Sequence, residues 1–336
     1  MSPTWRRRLL TFPALGAITV ALWGAAPLWV GAALLWDLTL GRKLAATRTT
    51  LMLLLYTLAD WVGIAAALLT RAVGAVAGDP GGRRSLTWHR VIKREWNRAL
   101  ARVGFWLFGA RLEVEGDRSA TGTPFLVFLR HAGIADVLIA PIVFELPHPT
   151  FLRYAVKREL LWDPAFDLVG PQVRAVFVDR DSTDGAGERA RVAQMIDGLE
   201  PDEGVLLYPE GTRFSTRKAE AIQAKLKASG DDDALTYARS LTRVLPPKLG
   251  GTLALLQRNP GHDVVFCAHT GLDRAYSVGG MLRGDLVGLV VRVKLWRVPF
   301  AEIPREPDAQ AAWMRSQWAR MDREVAALEA RARGAA

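Results

Sequence analysis

Hydrophobic and polar positions keep three different rhythms along the chain. From Leu9 to Leu40 apolar residues run almost unbroken, interrupted by Pro13, Pro27 and Asp37. This is longer than the ~20 residues that span a bilayer, and it reads either as one tilted span or as a hairpin folded at Ala25, Ala26 and Pro27. A second run, Leu51 to Leu69, holds Asp60 in its middle, where a carboxylate is costly unless protonated, paired or near an interface. The sequence GDPGG at 78–82 marks a boundary. Beyond it Trp88, Val91, Ile92, Trp96, Leu100 and Val103 recur at helical spacing, with Arg90, Lys93, Arg94, Arg98 and Arg102 between them. That pattern predicts a basic amphipathic helix, lying in the lipid interface or packed on a core.

From residue 111 onward short apolar runs alternate with helical stretches. Strands are predicted from Leu112, at Phe125 to Leu129, Phe151 to Val156, Arg174 to Arg180, Gly204 to Glu210, Val264 to Ala268 and Val290 to Leu295. Ala186 to Leu199 reads as a helix. Ser215 to Thr242 is polar and locally helical, with an exposed turn at Asp231, Asp232 and Asp233. Met314, Trp318, Met321, Val325 and Leu328 fall at steps of four and three, a helix whose apolar face packs on the sheet. Alternating strands and helices predict an α/β sandwich. Four regions result: a hydrophobic membrane anchor at 1–80 with apolar segments at about 9–40 and 51–70, an amphipathic linker at 81–110, a catalytic domain at 111–305 and a C-terminal helix at 306–336.

Charge sharpens this division. Residues 1–110 hold fourteen Lys or Arg against four Asp or Glu, whereas 111–336 hold thirty of each, so the formal +10 belongs wholly to the N-terminal third. An excess there points to an anionic membrane surface and away from a nucleic-acid groove in the catalytic part. Basic residues flank each apolar run, and the positive-inside rule places the catalytic domain on the cytoplasmic face of the cell membrane, held integrally or monotopically. Arg6 to Arg8, an apolar stretch and small residues near Ala26 also suit a cleaved secretory signal, but apolar sequence resumes directly and again at Leu51, as an anchor requires. The single cysteine, Cys267, excludes an internal disulfide and has no nucleophile motif around it.

Candidate chemistry starts at PFLVFLRHAGIAD, residues 124–136, where a buried strand delivers His131 and a helical turn returns Asp136 five positions later. A neutral imidazole takes a proton from a substrate hydroxyl, and a carboxylate holds the ring's tautomer and stabilises the imidazolium. A lone H-x4-D is a weak pattern. It gains weight because 174–180 ends in Asp179 and Arg180, and 204–210 runs into Gly211, Thr212 and Arg213. Ligands bind at the C-terminal edge of open α/β sheets, so histidine, carboxylate and two arginines converge on one crevice. No metal-ligand spacing or G-x-S-x-G elbow appears, and the Asp179, Asp181 pair lacks the context of a metal-binding D-x-D.

These blocks resemble the glycerolipid acyltransferase family, the enzymes that acylate lysophospholipids. His131 and Asp136 match its H-x4-D motif, Val176 to Arg180 its second block, Tyr208 to Ser215 its F-P-E-G-T-R-S block, and Val244 to Lys248 its proline-containing fourth block. Tyr208 stands where phenylalanine is usual, and Phe214 is inserted before the serine. The resemblance implies an α/β fold with a mixed sheet flanked by helices, and acyl transfer from acyl-CoA or acyl-carrier protein to a lysophospholipid hydroxyl, with 1-acyl-sn-glycerol-3-phosphate giving phosphatidic acid. It assigns His131 as base, Asp136 as its orienting partner, and Arg180, Glu210, Gly211, Thr212 and Arg213 as the phosphate-binding set, without a cofactor. Glu210 positions Arg213 or meets glycerol hydroxyls, and Lys157 is a further candidate for phosphate contact. The long spacing between the third and fourth blocks resembles the branch acting on lysophosphatidylinositol and lysocardiolipin. A lipid-binding protein with a retired site has no use for His131, Asp136, Glu210 and Arg213 together, and a thioesterase or lipase needs an activated nucleophile or water that nothing here signals.

Overall fold

The computed structural model describes residues 3–78, 82–116, 124–148, 150–179, 184–275 and 278–334. The centre of the GDPGG boundary, at 79–81, lies outside them. Four helices open the chain: α1 (Pro3–Gly24), α2 (Ala26–Leu40), α3 (Ala45–Val76) and α4 (Arg83–Phe108). α1 and α2 meet at a 62° bend, and Pro27 starts α2, where its missing N–H costs nothing. By length and composition α3 can cross a membrane, and the bent pair adds a second crossing if it acts as one span. Asp37, an interruption in the apolar pattern, works as a cap. Its buried carboxylate accepts from Ala46 N at 3.0 Å and from Thr47 N and Oγ1 at 2.8 Å, satisfying donors at the start of α3. Trp23 and Trp61 indoles donate to Thr57 and Thr19, tying α1 to α3. Asp60 is buried, 3% exposed.

The basic helix forms, but several of its cations turn inward. Arg90 pairs with Glu200 and Glu203, Lys93 Nζ reaches Glu145 at 2.6 Å and Leu152 O at 3.2 Å, and Arg94 reaches Leu146 O. Trp88, Val91 and Trp106 stand exposed. Arg7 and Arg8 likewise pair with the buried Asp167 of the catalytic domain. Four of the fourteen N-terminal cations, Arg7, Arg8, Arg90 and Lys93, therefore dock helices onto protein carboxylates. A buried cation needs such a partner to offset its lost hydration.

Seven strands form one mixed sheet in the order β1-β7-β6-β2-β5-β3-β4: β1 (Arg111–Gly116), β2 (Phe125–Leu129), β3 (Phe151–Lys157), β4 (Val176–Val178), β5 (Glu203–Leu207), β6 (Asp263–Thr270) and β7 (Val290–Val298). Neighbours are parallel except β6 and β7. β2 lies between β6 and β5, with Phe128 opposite Phe266 and Leu207, and all five of its residues are buried. Its side chains alternate between two cores, as period-two geometry requires: Leu126 and Phe128 on one face, Phe125, Val127 and Leu129 on the other. The strand at 174–180 is shorter than predicted, because Arg174 holds a left-handed φ of 58° that precludes extended pairing.

Helices cover the sheet: α5 (Pro164–Val169), α6 (Gly185–Ala193), α7 (Thr216–Ser229), α8 (Asp232–Ser240), α9 (Leu249–Gln257), α10 (Val278–Arg283) and α11 (Pro307–Gly334). On α11, Met314, Trp318, Met321 and Val325 are 0% exposed, so this helix packs on the sheet as its spacing predicts. The polar insertion is a pair of helices. The aspartate run is not merely a turn between them: Asp231 caps α8 through Ala234 N, and Asp232 and Asp233 occupy its first turn, complementing the dipole.

Candidate active site

β2, β3, β4, β5 and β6 are mutually parallel, so their C-terminal ends share one edge. The last turn of β2 brings His131 there. Gly133 follows, where a Cβ would lie 2.4 Å from the Leu272 carbonyl oxygen, so the chain passes only as glycine. A 3-10 turn, Ile134–Leu138, then folds Asp136 back onto the strand end. The Asp136 Oδ2 atom accepts from His131 Nδ1 at 3.1 Å, from Gly133 N at 2.8 Å and from Ala132 N. Asp136 is wholly buried. Burial raises its pKa, yet attraction to His269 and the bonds from His131 and Gly133 outweigh that and hold it below the usual carboxylate value. The imidazole is thus fixed through Nδ1, its side chain is 16% exposed, and Nε2 remains the basic atom. The Tyr208 ring lies against it at 4.4 Å, tilted by 34°.

Two residues not singled out as site residues support this pair. His269, at the end of β6, is fully buried; its Nε2 donates to Arg130 O at 3.0 Å and lies 3.8 Å from Asp136 Oδ1. Burial lowers its pKa, against the pull of Asp136. Arg130 donates to His269 O at 2.7 Å and to Arg243 O, fixing the strand end from the other face. Their signal in the sequence is faint: each ends an apolar run, as His131 nearly does.

Glu210 meets main-chain donors. It is 1% exposed, and its two oxygens accept from His131 N at 2.8 Å and Leu245 N at 2.9 Å. It joins the first, third and fourth sequence blocks. Burial pushes its carboxyl up to about 8, against both N–H donors and Arg130. Gly211 has a φ of 66° and packs on Lys248. Thr212 Oγ1 accepts from Lys218 Nζ at 2.7 Å, so it braces the turn. Phe214 N donates to His131 O at 2.7 Å. Arg213 is half-buried in this turn, and Lys157, at the end of β3, is about half exposed and paired with Glu159. Arg180 lies outside the described residues.

The fold and the site define an α/β acyl-transfer domain. Residues 111–257, somewhat under half of the chain, match the family model described as Acyltransferase, so this part of the chain is an acyltransferase domain. In structure the chain is similar to 1-acyl-sn-glycerophosphate (LPA) acyltransferase, PlsC, from Thermotoga maritima, with 14% identity, 81% of this chain and 96% of that one covered, and a TM-score of 0.47. A comparison with curated proteins gives no match.

Proposed function

We propose that the enzyme transfers a fatty acyl group from a thioester donor, acyl-CoA or acyl-carrier protein, to the free hydroxyl of a lysophospholipid, with 1-acyl-sn-glycerol-3-phosphate as acceptor and phosphatidic acid as product. The observation that carries this reading is the 3.1 Å bond between His131 Nδ1 and Asp136 Oδ2, which leaves Nε2 as the proton acceptor. His131 Nε2 takes the hydroxyl proton as the oxygen attacks the thioester carbonyl, and Asp136 stabilises the imidazolium. Collapse of the tetrahedral intermediate breaks the C–S bond, and the departing sulfur takes that proton. Arg213, which follows β5, Lys157, at the end of β3, and Arg180 hold the acceptor phosphate, the two arginines through planar guanidinium forks.

The same edge faces the bilayer. Among the described residues after 110, the exposed large hydrophobics are Val137, Leu160, Trp162 and Leu282, which follow the C-terminal ends of β2, β3 and β6. That apolar rim, together with α1 to α3, supports a membrane-held enzyme that meets its acceptor at the lipid surface. The test is an assay of purified full-length protein with both donors and a panel of lysophospholipids, beside His131→Ala. Loss of about 10²- to 10⁴-fold in turnover is expected. More than half the parent rate in the variant, or free fatty acid as the main product of the parent, overturns the proposal.

A further inference from the structure

A cleft of about 470 Å³ opens beside His131. Arg130 and Ala132, which flank the histidine in sequence, line it together with Phe214, Thr242, Arg243 and Glu329. Phe214 belongs to the turn after β5 that carries Arg213, so the cleft is part of the active site. Its cations are short of a counter-ion. Arg130 is 2% exposed, and its guanidinium donates to carbonyl oxygens, of His269 at 2.7 Å and of Arg243 at 3.1 and 3.3 Å; among the described residues it has no ion-pair partner. Glu210, which feels its charge, has its carboxyl pushed up to about 8 and gives little counter-charge at neutral pH. A buried cation without a counter-ion is costly, and an anion in the cleft offsets that cost. Ser215 and Thr216, the N-cap and first residue of α7, also line the cleft and place the positive end of a helix of 14 residues there. Arg243 pairs with Glu329 of α11 at 2.9 Å, but the two side chains are 30% and 24% exposed, so water screens the pair and a phosphate competes with the carboxylate for the guanidinium. The remaining acid, Asp273, accepts from Gly271 N at 2.7 Å.

Two substrates have to meet at one imidazole. The acceptor comes from the bilayer, and none of the exposed large hydrophobics of the apolar rim, Val137, Leu160, Trp162 and Leu282, lines this cleft. Apart from Ala132 and Phe214 its lining is polar or charged, which suits the substrate that arrives from water. Position agrees. Lys157 stands two strands from β2 on the β5 side, whereas Asp273 follows β6 and Glu329 lies on α11, which packs against β6, so the cleft extends to the opposite side of His131. Acyl-CoA and acyl-carrier protein share one structure at the reactive end, an amide-rich arm with the thioester sulfur at its tip and a phosphate at its base. A polar cleft with guanidinium groups that lack an anion, leading to the catalytic histidine, matches that arm in chemistry.

We propose that this cleft receives the phosphopantetheine arm of the acyl donor, with Arg243 taking its phosphate in exchange for Glu329 and the thioester directed past Ala132 to His131. The proposal rests on the reading of a thioester donor and gives that donor a place. Full-length protein in neutral detergent is titrated calorimetrically with CoA, and with carrier protein with and without its phosphopantetheine, for the parent, Arg243→Ala, Arg243→Lys, Glu329→Gln and His131→Ala. Affinity for CoA or for the phosphopantetheine-bearing carrier, whichever the parent binds, should fall about tenfold or more in Arg243→Ala and return in part in Arg243→Lys. It should rise about two- to fivefold in Glu329→Gln, where the competing carboxylate is gone, and stay parental in His131→Ala. The opposite signs are decisive, because a merely structural Arg243 to Glu329 pair predicts the same loss in both variants. Equal loss in the two, no loss in Arg243→Ala, or a parent that binds neither CoA nor the phosphopantetheine-bearing carrier overturns the proposal. Kinetics give a second readout: Arg243→Ala should raise KM for acyl-CoA or acyl-carrier protein, but neither KM for a phosphate-free acyl-pantetheine nor KM for the acceptor. A rise confined to acceptor KM assigns the cleft to the acceptor and overturns the proposal. CoA binding through Arg243 without acyl transfer refutes the acyltransferase reading and leaves the arm's site standing; acyl transfer with parental donor affinity in Arg243→Ala does the reverse.

Discussion

Asp136→Asn separates two roles of one side chain. Oδ2 collects three donors, His131 Nδ1, Ala132 N and Gly133 N, whereas Oδ1 has no hydrogen bond and only His269 Nε2 nearby, at 3.8 Å. An asparagine carbonyl can take the Oδ2 position and place its NH2 where Oδ1 was, without displacing a partner. The imidazole tautomer is then kept and only the charge is lost. Three charge-assisted bonds become neutral ones, weaker by about 1 kcal/mol each, partly offset because a buried charge is no longer desolvated. A net cost of about 1–3 kcal/mol should lower Tm by roughly 2–12 °C for a domain of this size. Catalysis should suffer more, because the imidazolium formed in the transition state faces no carboxylate. A fall of about 10²- to 10³-fold in kcat is about 3–4 kcal/mol. Steady-state kinetics at fixed pH, with both KM values and a melting curve, decide the matter. kcat and kcat/KM should drop together while both KM values stay within threefold. A variant with more than half the parent kcat, or one whose lost activity equals its unfolded fraction, would falsify the assignment. Acid should narrow the stability gap. The lowered Asp136 pKa contributes stability above the ordinary 3.8, and that is lost as pH falls through the folded value.

Glu210→Ala should strand two buried N–H groups at about 1–3 kcal/mol each and lower kcat with acceptor KM unchanged; a tenfold rise in KM at parental stability would return Glu210 to substrate contact. Arg213→Ala should raise acceptor KM roughly ten- to a hundredfold and leave donor KM nearly alone, and an unchanged acceptor KM ends its phosphate role. His269 has a depressed pKa, so the unfolded chain binds its proton more readily and stability is lost as pH falls below 6.5. Denaturation midpoints at pH 7.5 and 5.5 should differ more for the parent than for His269→Gln; equal differences in the two proteins refute this.

Local rhythm made β2, β3, β5, β6, β7 and α11 legible, since each is a run whose period matches its burial. Strand order was not legible, because pairing β1 with β7 joins residues 111–116 to 290–295 and no local pattern encodes that. The same limit explains α4. Its periodicity announces a basic amphipathic helix, but whether Arg90 and Lys93 face lipid or protein depends on Glu203 and Glu145, more than fifty residues away. At the site, the H-x4-D spacing places Asp136 on His131 because both belong to one turn. The bonds of Glu210 to main-chain N–H groups were not legible for the opposite reason: Leu245, one of its two partners, lies thirty-five positions downstream.

Three carboxyl groups hold the loops around His131 by main-chain N–H groups. Asp136 takes Ala132 and Gly133, Glu210 takes His131 and Leu245, and Asp322 takes Thr242, Arg243 and Val244. A main-chain donor is supplied by every residue except proline. The sequence between 242 and 245 is therefore free to drift in side chain, within the limits of packing, but barred from proline. It is not free in length: one inserted residue displaces each later donor by up to ~3.8 Å, beyond the reach of a hydrogen bond. Around this site spacing carries the information that lettering usually carries, and a library that varies residues at constant length will yield active enzymes where a one-residue insertion yields none.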